Sequence, residues 1–553
     1  MATAPCHQNI GAHLMLHLPQ QTIIMHLDHS NIVRSTLAAL VLDCFIGLIS
    51  PVYSDVYTAV YSDVYAADTT LYCPEIRAEL ARNGKLFAFG VASGDPTPTS
   101  LWIWTLLNPY AQQPIQNETM VHWEVATDSS FRHIVREGFI RTDAIQGYSC
   151  KLRLDDLPSG TRLNYRFSVG RDTSMVGYTS TLPSEGRGLR LAVASCSNWE
   201  WGYFNAYRSI SQVPDLDLVL HLGDYIYEYE PGRYGSRKMP RKHLPTHEIV
   251  SLSDYRSRYA QYHLDPDLQE LRRKVPMVSV WDDHEIANDA WRDGAQNHQD
   301  SSEGPYTERQ ARARQVYFEW LPVEANAQMG VRRSLSLGKM ADLFLLDGRL
   351  EGRSLQAQST NDPNRFDSSR SMLGALQRNW LIEQVGSSNA RWKLIGNQVI
   401  FSAYDYPAKL TRNSKNMDMW EGYPIERDSL LRSWWRTGSR NLIMLTGDVH
   451  ASFAMDLRVN YRDPTTSMGV EWVAPSITSG SLDEYQARWK VRLVERWFTA
   501  GTMNPHLNYL NFRDHGFILV ELDADQARAT WMYENNILKP KAKVTKRVSR
   551  RFN

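Results

Sequence analysis

Cysteine is scarce and unpatterned in this chain. There are five in 553 residues, Cys6, Cys44, Cys73, Cys150 and Cys196, with no CxxC pair and no zinc-ribbon spacing, which argues against a structural zinc site. Cys73 and Cys150 have the choice of pairing in an exported protein or standing as two free thiols. Net charge is lacking as well: 61 Lys and Arg face 61 Asp and Glu. No global field therefore draws the chain to nucleic acid or to an anionic membrane, and an anionic substrate must be attracted locally. A long apolar run is also missing. The longest, LAALVLDCFIGLIS from Leu37 to Ser50, is short for a transmembrane span and carries Asp43 in its middle. It follows Arg34, has no twin-arginine pair before it, and is followed by small residues at Val64-Tyr65-Ala66, so it reads as an atypical signal segment. Residues 1–68 are expected to be a leader, disordered or signal-like, and the protein to be secreted, periplasmic or at the cell surface. The tandem VYSDVYTA and VYSDVYAA has only two copies, too few for a solenoid.

What the chain does hold is apolar and aromatic mass: 42% hydrophobic residues, 17 Trp and 27 Tyr, enough for a large core rich in strands. Over 83–184, short alternating segments such as SLWIWTLL, MVHWEVATD, CKLRLDDLP and RLNYRFSVG predict a β-sandwich. The run DDLPSGTRLNYRFSVG resembles the end of a fibronectin-type-III domain, with Tyr165 in its corner. Beyond 188 the pattern changes to strands alternating with helices, the texture of a layered α/β domain extending to 537. The basic tail 538–553, KPKAKVTKRVSRRFN with its preceding Leu, is expected to be a solvated terminus.

Three apolar strands of this second region end in ionisable residues. LDLVLHLGDYIYEY delivers Asp224 and Tyr227, VPMVSVWDDHEIANDAW delivers Asp282, Asp283, His284 and Glu285, and NLIMLTGDVHASF delivers Asp448 and His450. LRLAVASCS adds Cys196, and WKLIGNQVIFS adds Asn397 and Gln398. In open α/β sheets the carboxyl ends of strands meet at one crevice. Taken singly, an Asp after a strand is usually a turn residue and a lone His a core group. Carboxylates, imidazole, thiol and phenol gathered together instead imply bound metal, because their mutual repulsion otherwise raises pKa values and weakens the fold. Thiolate and phenolate favour ferric iron, whereas carboxylates and amide oxygens suit calcium, magnesium or manganese. Asp224 is the natural bridge between two ions, with Tyr227 one turn away binding only one of them.

The ordered set SCSNWEWGYFNAY, HLGDYIYEY, VWDDHEIANDAW, SMLGALQRNWL, WKLIGNQVIFS and LTGDVHASFA resembles the PhoD-type alkaline phosphatases, a branch of the calcineurin-like metallophosphoesterases, over roughly Leu86 to Leu522. GVASGDPTPTSLWIWT, Gly90 to Thr105, resembles the opening of that family's N-terminal sandwich. The resemblance implies a fibronectin-III-like β-sandwich followed by a four-layer αββα catalytic domain, and hydrolysis of phosphate mono- or diesters. It implies Fe3+ held by Cys196, Asp224, Tyr227 and His450, and Ca2+ held by Asp224, Asp283, Asp448 and Asn397, with Mn2+ or Zn2+ as alternatives at the second position. Water activated by the ions attacks phosphorus, no phosphoenzyme forms, and His284 protonates the leaving alkoxide or steadies the transition state. Asp282 has a supporting part, and Glu285 orients His284.

Several places depart from the family. NFRDHGF puts His515 and Phe517 where a basic and a tyrosyl residue are usual. Arg349 and Arg353 in LLDGRLEGRS are spaced differently and are read as surface ion pairs in preference to phosphate clamps, while Trp291 and Arg292 have the option of bordering the cleft. Alternative readings are a phospholipase-D-like or teichoic-acid-type diesterase and a surface-binding module with an inactive phosphatase fold. Six costly ligands argue against the inactive module.

Overall fold

In the computed structural model, residues 71–552 are described apart from 186, 327–329, 406–415 and 501–502, together with an antiparallel strand pair, His13–Leu18 with Gln21–His26. That pair belongs to a unit, Met1–Thr69, separate from the rest of the chain. The expected signal segment at Leu37 to Ser50, the tandem VYSDVY repeats, Cys6 and Cys44 lie outside the described residues. No helix among those described is long and apolar enough to cross a membrane.

Two large mixed sheets carry the main unit. One has nine strands, and at its centre β1 (Leu189–Ala194), β2 (Leu218–His221) and β3 (Met277–Ser279) run parallel. The other has seven strands, with β4 (Ala341–Leu345), β5 (Trp392–Asn397), β6 (Leu442–Thr446) and β7 (Ser467–Val473) parallel in that order. Side chains on a strand alternate between its faces, and the central parts of the four parallel strands follow this. Leu343, Leu345, Leu394, Ile443, Leu445, Val470 and Trp472 enter the core shared with the nine-stranded sheet. Phe344, Ile395, Leu442, Met444 and Val473 enter a second core on the opposite face.

Helices close both outer faces. α1 (Leu252–His263), α2 (Pro266–Lys274) and α3 (Tyr306–Trp320) contribute Tyr255, Tyr259, Leu271, Val316 and Trp320 to the first core. α4 (Gly374–Ser387) and α5 (Pro424–Arg436) contribute Leu381, Val385, Leu430 and Trp434 to the second. The local sequence explains where these helices start. Ser251 and Asp254 form a reciprocal capping box at α1, and Asp265 caps α2 with Pro266 at its first position, each satisfying amides that the first turn leaves unpaired. The layers are those expected of an αββα domain.

The N-terminal region differs from a free-standing sandwich. Its strands form two facing layers around Leu101, Ile103, Val121, Cys150, Tyr165 and Phe167, but one layer is the edge of the catalytic sheet. Val91–Gly94 pairs with β3 at Met277, and Leu101–Leu106 and Ser149–Leu154 follow outward. Gly94 makes the junction possible: a Cβ there would stand 2.2 Å from the Pro322 carbonyl oxygen and 2.6 Å from that of Met277. The alternating pattern is the same for a separate sheet and a shared one, so sequence periodicity cannot tell them apart. Cys73 and Cys150 are free thiols.

The basic tail is a strand, not a solvated end. Val544–Phe552 pairs antiparallel with Ala527–Glu534 at the sheet margin, with Val544, Val548 and Phe552 packed on the core. Its Lys and Arg residues suit an edge strand, where charge discourages further pairing.

Candidate functional site

The strand ends converge as expected. Ligand atoms of Cys196 (after β1), Asp224 (after β2) and His450 (after β6) lie within 4.8 Å of one another; so do those of Asp224, Asp283 and His284, and those of Asp282, Asp283 and Asp448. Asp224 and Asp283 are each shared by two groups. The turns that deliver these side chains are strained: φ is +61° at Cys196, +53° at Asp224, +64° at Asp448 and +52° at His450. Left-handed non-glycine residues cost roughly 1–3 kcal/mol each and persist only where the surroundings hold them. Gly223 sets the approach of β2 to β3, because with φ +98° a Cβ there would meet the Asp282 amide nitrogen at 2.4 Å.

Tyr227 joins the first group. Its hydroxyl donates to Asp224 Oδ2 at 2.8 Å, receives a hydrogen bond from Ser479 Oγ at 2.6 Å and lies 3.3 Å from His450 Nε2. The other ring nitrogen of His450 lies 3.2 Å from the Gly480 carbonyl oxygen, which leaves Nε2 facing the cluster. Asn397 is not brought in. Its Oδ1 accepts from Trp420 Nε1 at 3.1 Å and its Nδ2 donates to Thr446 Oγ1 at 3.2 Å, so the amide serves the outer core. Being odd in register with Leu394, it points away from the crevice side of β5.

His284 is oriented by Glu228, not by Glu285. Glu228 Oε2 lies 2.7 Å from His284 Nδ1, and its other oxygen accepts from the Asn288 amide at 2.8 Å. Glu285 instead accepts from the backbone amides of Asp282 at 2.9 Å, Asp224 at 3.1 Å and Tyr225 at 2.7 Å, clasping two strand ends together. Chain adjacency suggested Glu285, but a turn sends neighbouring side chains in different directions. The signal for Glu228 was its place four residues after Asp224 in HLGDYIYEY.

Arg349 and Arg353 are buried, not superficial. Arg349 Nε donates to Asp282 Oδ1 at 2.5 Å and Nη1 to both Asp418 oxygens at 2.8 Å, while Nη2 stands 3.4 Å from Asp283 Oδ1 and 3.7 Å from Asp448 Oδ1. Arg353 completes the clamp on Asp418 at 2.5 Å. Sequence reasoning missed Asp418, which no strand announces. Arg292 is exposed and paired with Asp293 at 2.6 Å. His515 is spent between Ser476 at 2.9 Å and Glu484 at 3.0 Å.

Burial pushes the Cys196 thiol and the Asp224 and Asp448 carboxyls well above their ordinary ranges, with neighbouring carboxylates adding to it. Asp282 rises to about 6 through burial, against the pull of Arg349. For Asp283 burial is outweighed by Arg349 and His284, leaving it at about 2. His284 is raised despite burial, because Asp283, Glu228 and Asp224 favour its cation. Asp224 Oδ1, Asp282 Oδ2 and Asp283 Oδ1 are buried without a hydrogen-bond partner. Unpaired buried carboxylate oxygens are costly, and cations seated among them remove that cost. The donors fit: thiol, phenol, imidazole and carboxylate at the first group, oxygen only at the third.

The PhoD-like phosphatase family matches residues 191–531, and the N-terminal domain of PhoD-like phosphatases matches 75–183. Alkaline phosphatase D of Bacillus subtilis (strain 168) is 33% identical over 485 residues, 84% of this chain and 80% of that protein. The solved structure of PhoD superposes with a TM-score of 0.77 at 32% identity, covering 85% of this chain and 90% of that one. The molecule is therefore a phosphoric ester hydrolase on a two-sheet α/β scaffold. The chain belongs to the PhoD-like phosphatase family.

Proposed function

We propose that this hydrolase works at the crevice of Cys196, Asp224, Tyr227, Asp283, His284, Asp448 and His450, with Fe3+ held by Cys196, Asp224, Tyr227 and His450 and Ca2+ held by Asp224, Asp283 and Asp448. The observation that carries the reading is the chain of three ligand groups linked through Asp224 and Asp283, each with a buried oxygen that accepts no hydrogen bond. When bound, such cations supply Lewis acidity that activates the attacking water and offsets phosphoryl charge. The protein's own groups do the rest. Asp224, set by its strained turn in two of the ligand groups, would contribute to both positions. Tyr227 and Ser479 fix the Asp224 oxygen that faces the first position. His284, kept protonated by Glu228 and Asp283, faces the reacting ester and delivers a proton to the departing alkoxide. Arg349 neutralises Asp282 and Asp418 and leaves its Nη2 edge toward Asp283 and Asp448. The proposed substrates are small phosphate mono- or diesters met outside the cytoplasm.

Elemental analysis of the purified protein, with turnover of 4-nitrophenyl phosphate and bis(4-nitrophenyl) phosphate, tests this. About one iron and one calcium per chain are expected, with hydrolysis of at least one ester that disappears in Asp224→Ala. Turnover retained in Asp224→Ala, or iron absent from active protein, defeats the assignment. The ratio of the two rates ranks monoester against diester.

A further inference from the structure

An amphipathic helix beside the crevice faces outward with no partner among the described residues. α6 (Arg488–Phe498) is anchored by Val491, Glu495 and Phe498, all buried. Glu495 receives Arg513 at 2.8 Å and the Phe512 amide at 2.8 Å, which ties that face down. The opposite face presents Trp489, Leu493 and Trp497, spaced four apart and 63%, 44% and 49% exposed, and Tyr485 continues the ridge at 56%. Lone exposed apolar residues are ordinary, but an aligned ridge of two Trp, a Leu and a Tyr is not.

Charge completes the pattern. Lys490, Arg492 and Arg496 flank the ridge, are exposed and have no ion-pair partner among the described residues. The helix's one acid, Glu495, is already neutralised by Arg513. Arg488 is neutralised between Asp483 at 2.6 Å and Asp514 at 2.5 Å, and Lys546 of the edge strand also reaches Asp514 at 2.7 Å, so the free positive charge of this face is that of Lys490, Arg492 and Arg496. Trp and Leu along one line with Lys and Arg beside it is the arrangement of a helix lying in the interface of an anionic bilayer, its apolar side in the headgroup region and its cations on the phosphates.

The helix is also tied to the crevice. Gly480 and Ser481, at the start of this segment, both hydrogen bond to His450. Tyr485 packs on Trp201 at 5.7 Å, and Trp201 packs on Tyr234, also at 5.7 Å, whose hydroxyl is 3.3 Å from His450 Nδ1. We propose that the outer face of α6, with Tyr485, docks the protein on an anionic lipid surface and so holds the mouth of the crevice near that surface.

Co-sedimentation of the full chain with phosphatidylcholine vesicles, alone or with about 30% phosphatidylglycerol, tests this without substrate. Binding to the anionic vesicles, weakened by salt, is expected. Trp489→Ala/Leu493→Ala/Trp497→Ala and, separately, Lys490→Glu/Arg492→Glu/Arg496→Glu are each expected to weaken it by about tenfold or more, with 4-nitrophenyl phosphate turnover unchanged. The charge variant keeps the ridge, so it reads the same surface if the apolar variant fails to fold. Wild-type protein that ignores anionic vesicles, or variants that bind as wild type does, overturn the docking. A wild-type dimer that the ridge variant converts to monomer, without vesicle binding, assigns the face to a second copy and also overturns it. Because no turnover enters the binding measurement, its failure leaves the phosphoesterase reading untouched.

Discussion

The two ends of the crevice solve the same electrostatic problem differently. At one end Cys196, Asp224 and His450, on strained turns, bring a thiol, a carboxylate and an imidazole together with the Tyr227 phenol, and the nearby Arg258 guanidinium is spent on the Tyr227 backbone carbonyl. At the other, Asp282, Asp283 and Asp448 bring only carboxylates, and Arg349 runs its guanidinium along all three. The first end has the His284 imidazolium beside Asp224 but, among the described residues, no guanidinium paired with its side chains. The second carries the Arg349 guanidinium, and still leaves Asp282 Oδ2 and Asp283 Oδ1 without a hydrogen bond. A guanidinium stays charged at every working pH and fixes the carboxylates around it permanently, whereas an end whose one cation is an imidazolium depends more on what it binds. The first end should therefore be the more metal-dependent of the two, and Arg349 the more important for folding.

The contrast is tested most severely at the residue the ends share. Asp224→Ala should remove both metals and lower kcat by about a thousandfold or more, measured by elemental analysis beside steady-state turnover. Next in size is Arg349→Met, which leaves Asp282 and Asp418 buried without their cation. Denaturant unfolding should show a loss of about 3–5 kcal/mol, whereas Cys196→Ser at the other end should change stability of the metal-free protein by less than about 1 kcal/mol. Metal content separates the ends directly. Cys196→Ser should lower iron and spare the second ion, and Asp448→Asn should do the reverse; equal loss of both metals in either variant would dissolve the distinction. Glu228→Gln should keep both metals and lower kcat by about 10- to 100-fold through a misoriented His284. The smallest effect concerns pH. In chelated protein Asp282 at about 6 and Glu285 at about 8 lie above their ordinary values of 3.8 and 4.5, so the folded state binds more protons than the unfolded one between those limits. Stability of the chelated protein should fall as pH rises from 4 to 8, by about 1 kcal/mol or more for each of the two groups, and metal should flatten that slope in thermal melts.

Much of this was legible from residues alone, for a specific reason. Apolar β-branched runs ending in Asp, His or Cys mark the carboxyl ends of parallel strands, and parallel topology brings such ends together whatever the loop lengths. Cys196, Asp224, Tyr227, Asp283, Asp448 and His450 were found that way. Asn397 sat at an equally good strand end, but its register turns it into the outer core against Trp420. Glu228, Asp418 and Arg349 were misread or missed because their parts depend on neighbours 56, 69 and 67 residues away in sequence. The tail looked like a solvated end by charge count, and its sparse apolar residues at Val544, Val548 and Phe552 carried the strand signal instead.

Residue order dictated which strands form, which side chains stand at their ends, and the kind of donors available, since these follow from local periodicity and side-chain chemistry. Only the folded arrangement settled which partner orients His284, where the internal cation goes, and that the N-terminal strands continue the catalytic sheet. Those outcomes depend on distances between distant segments and on steric limits such as the bare Cα of Gly94 and Gly223, which no local pattern encodes.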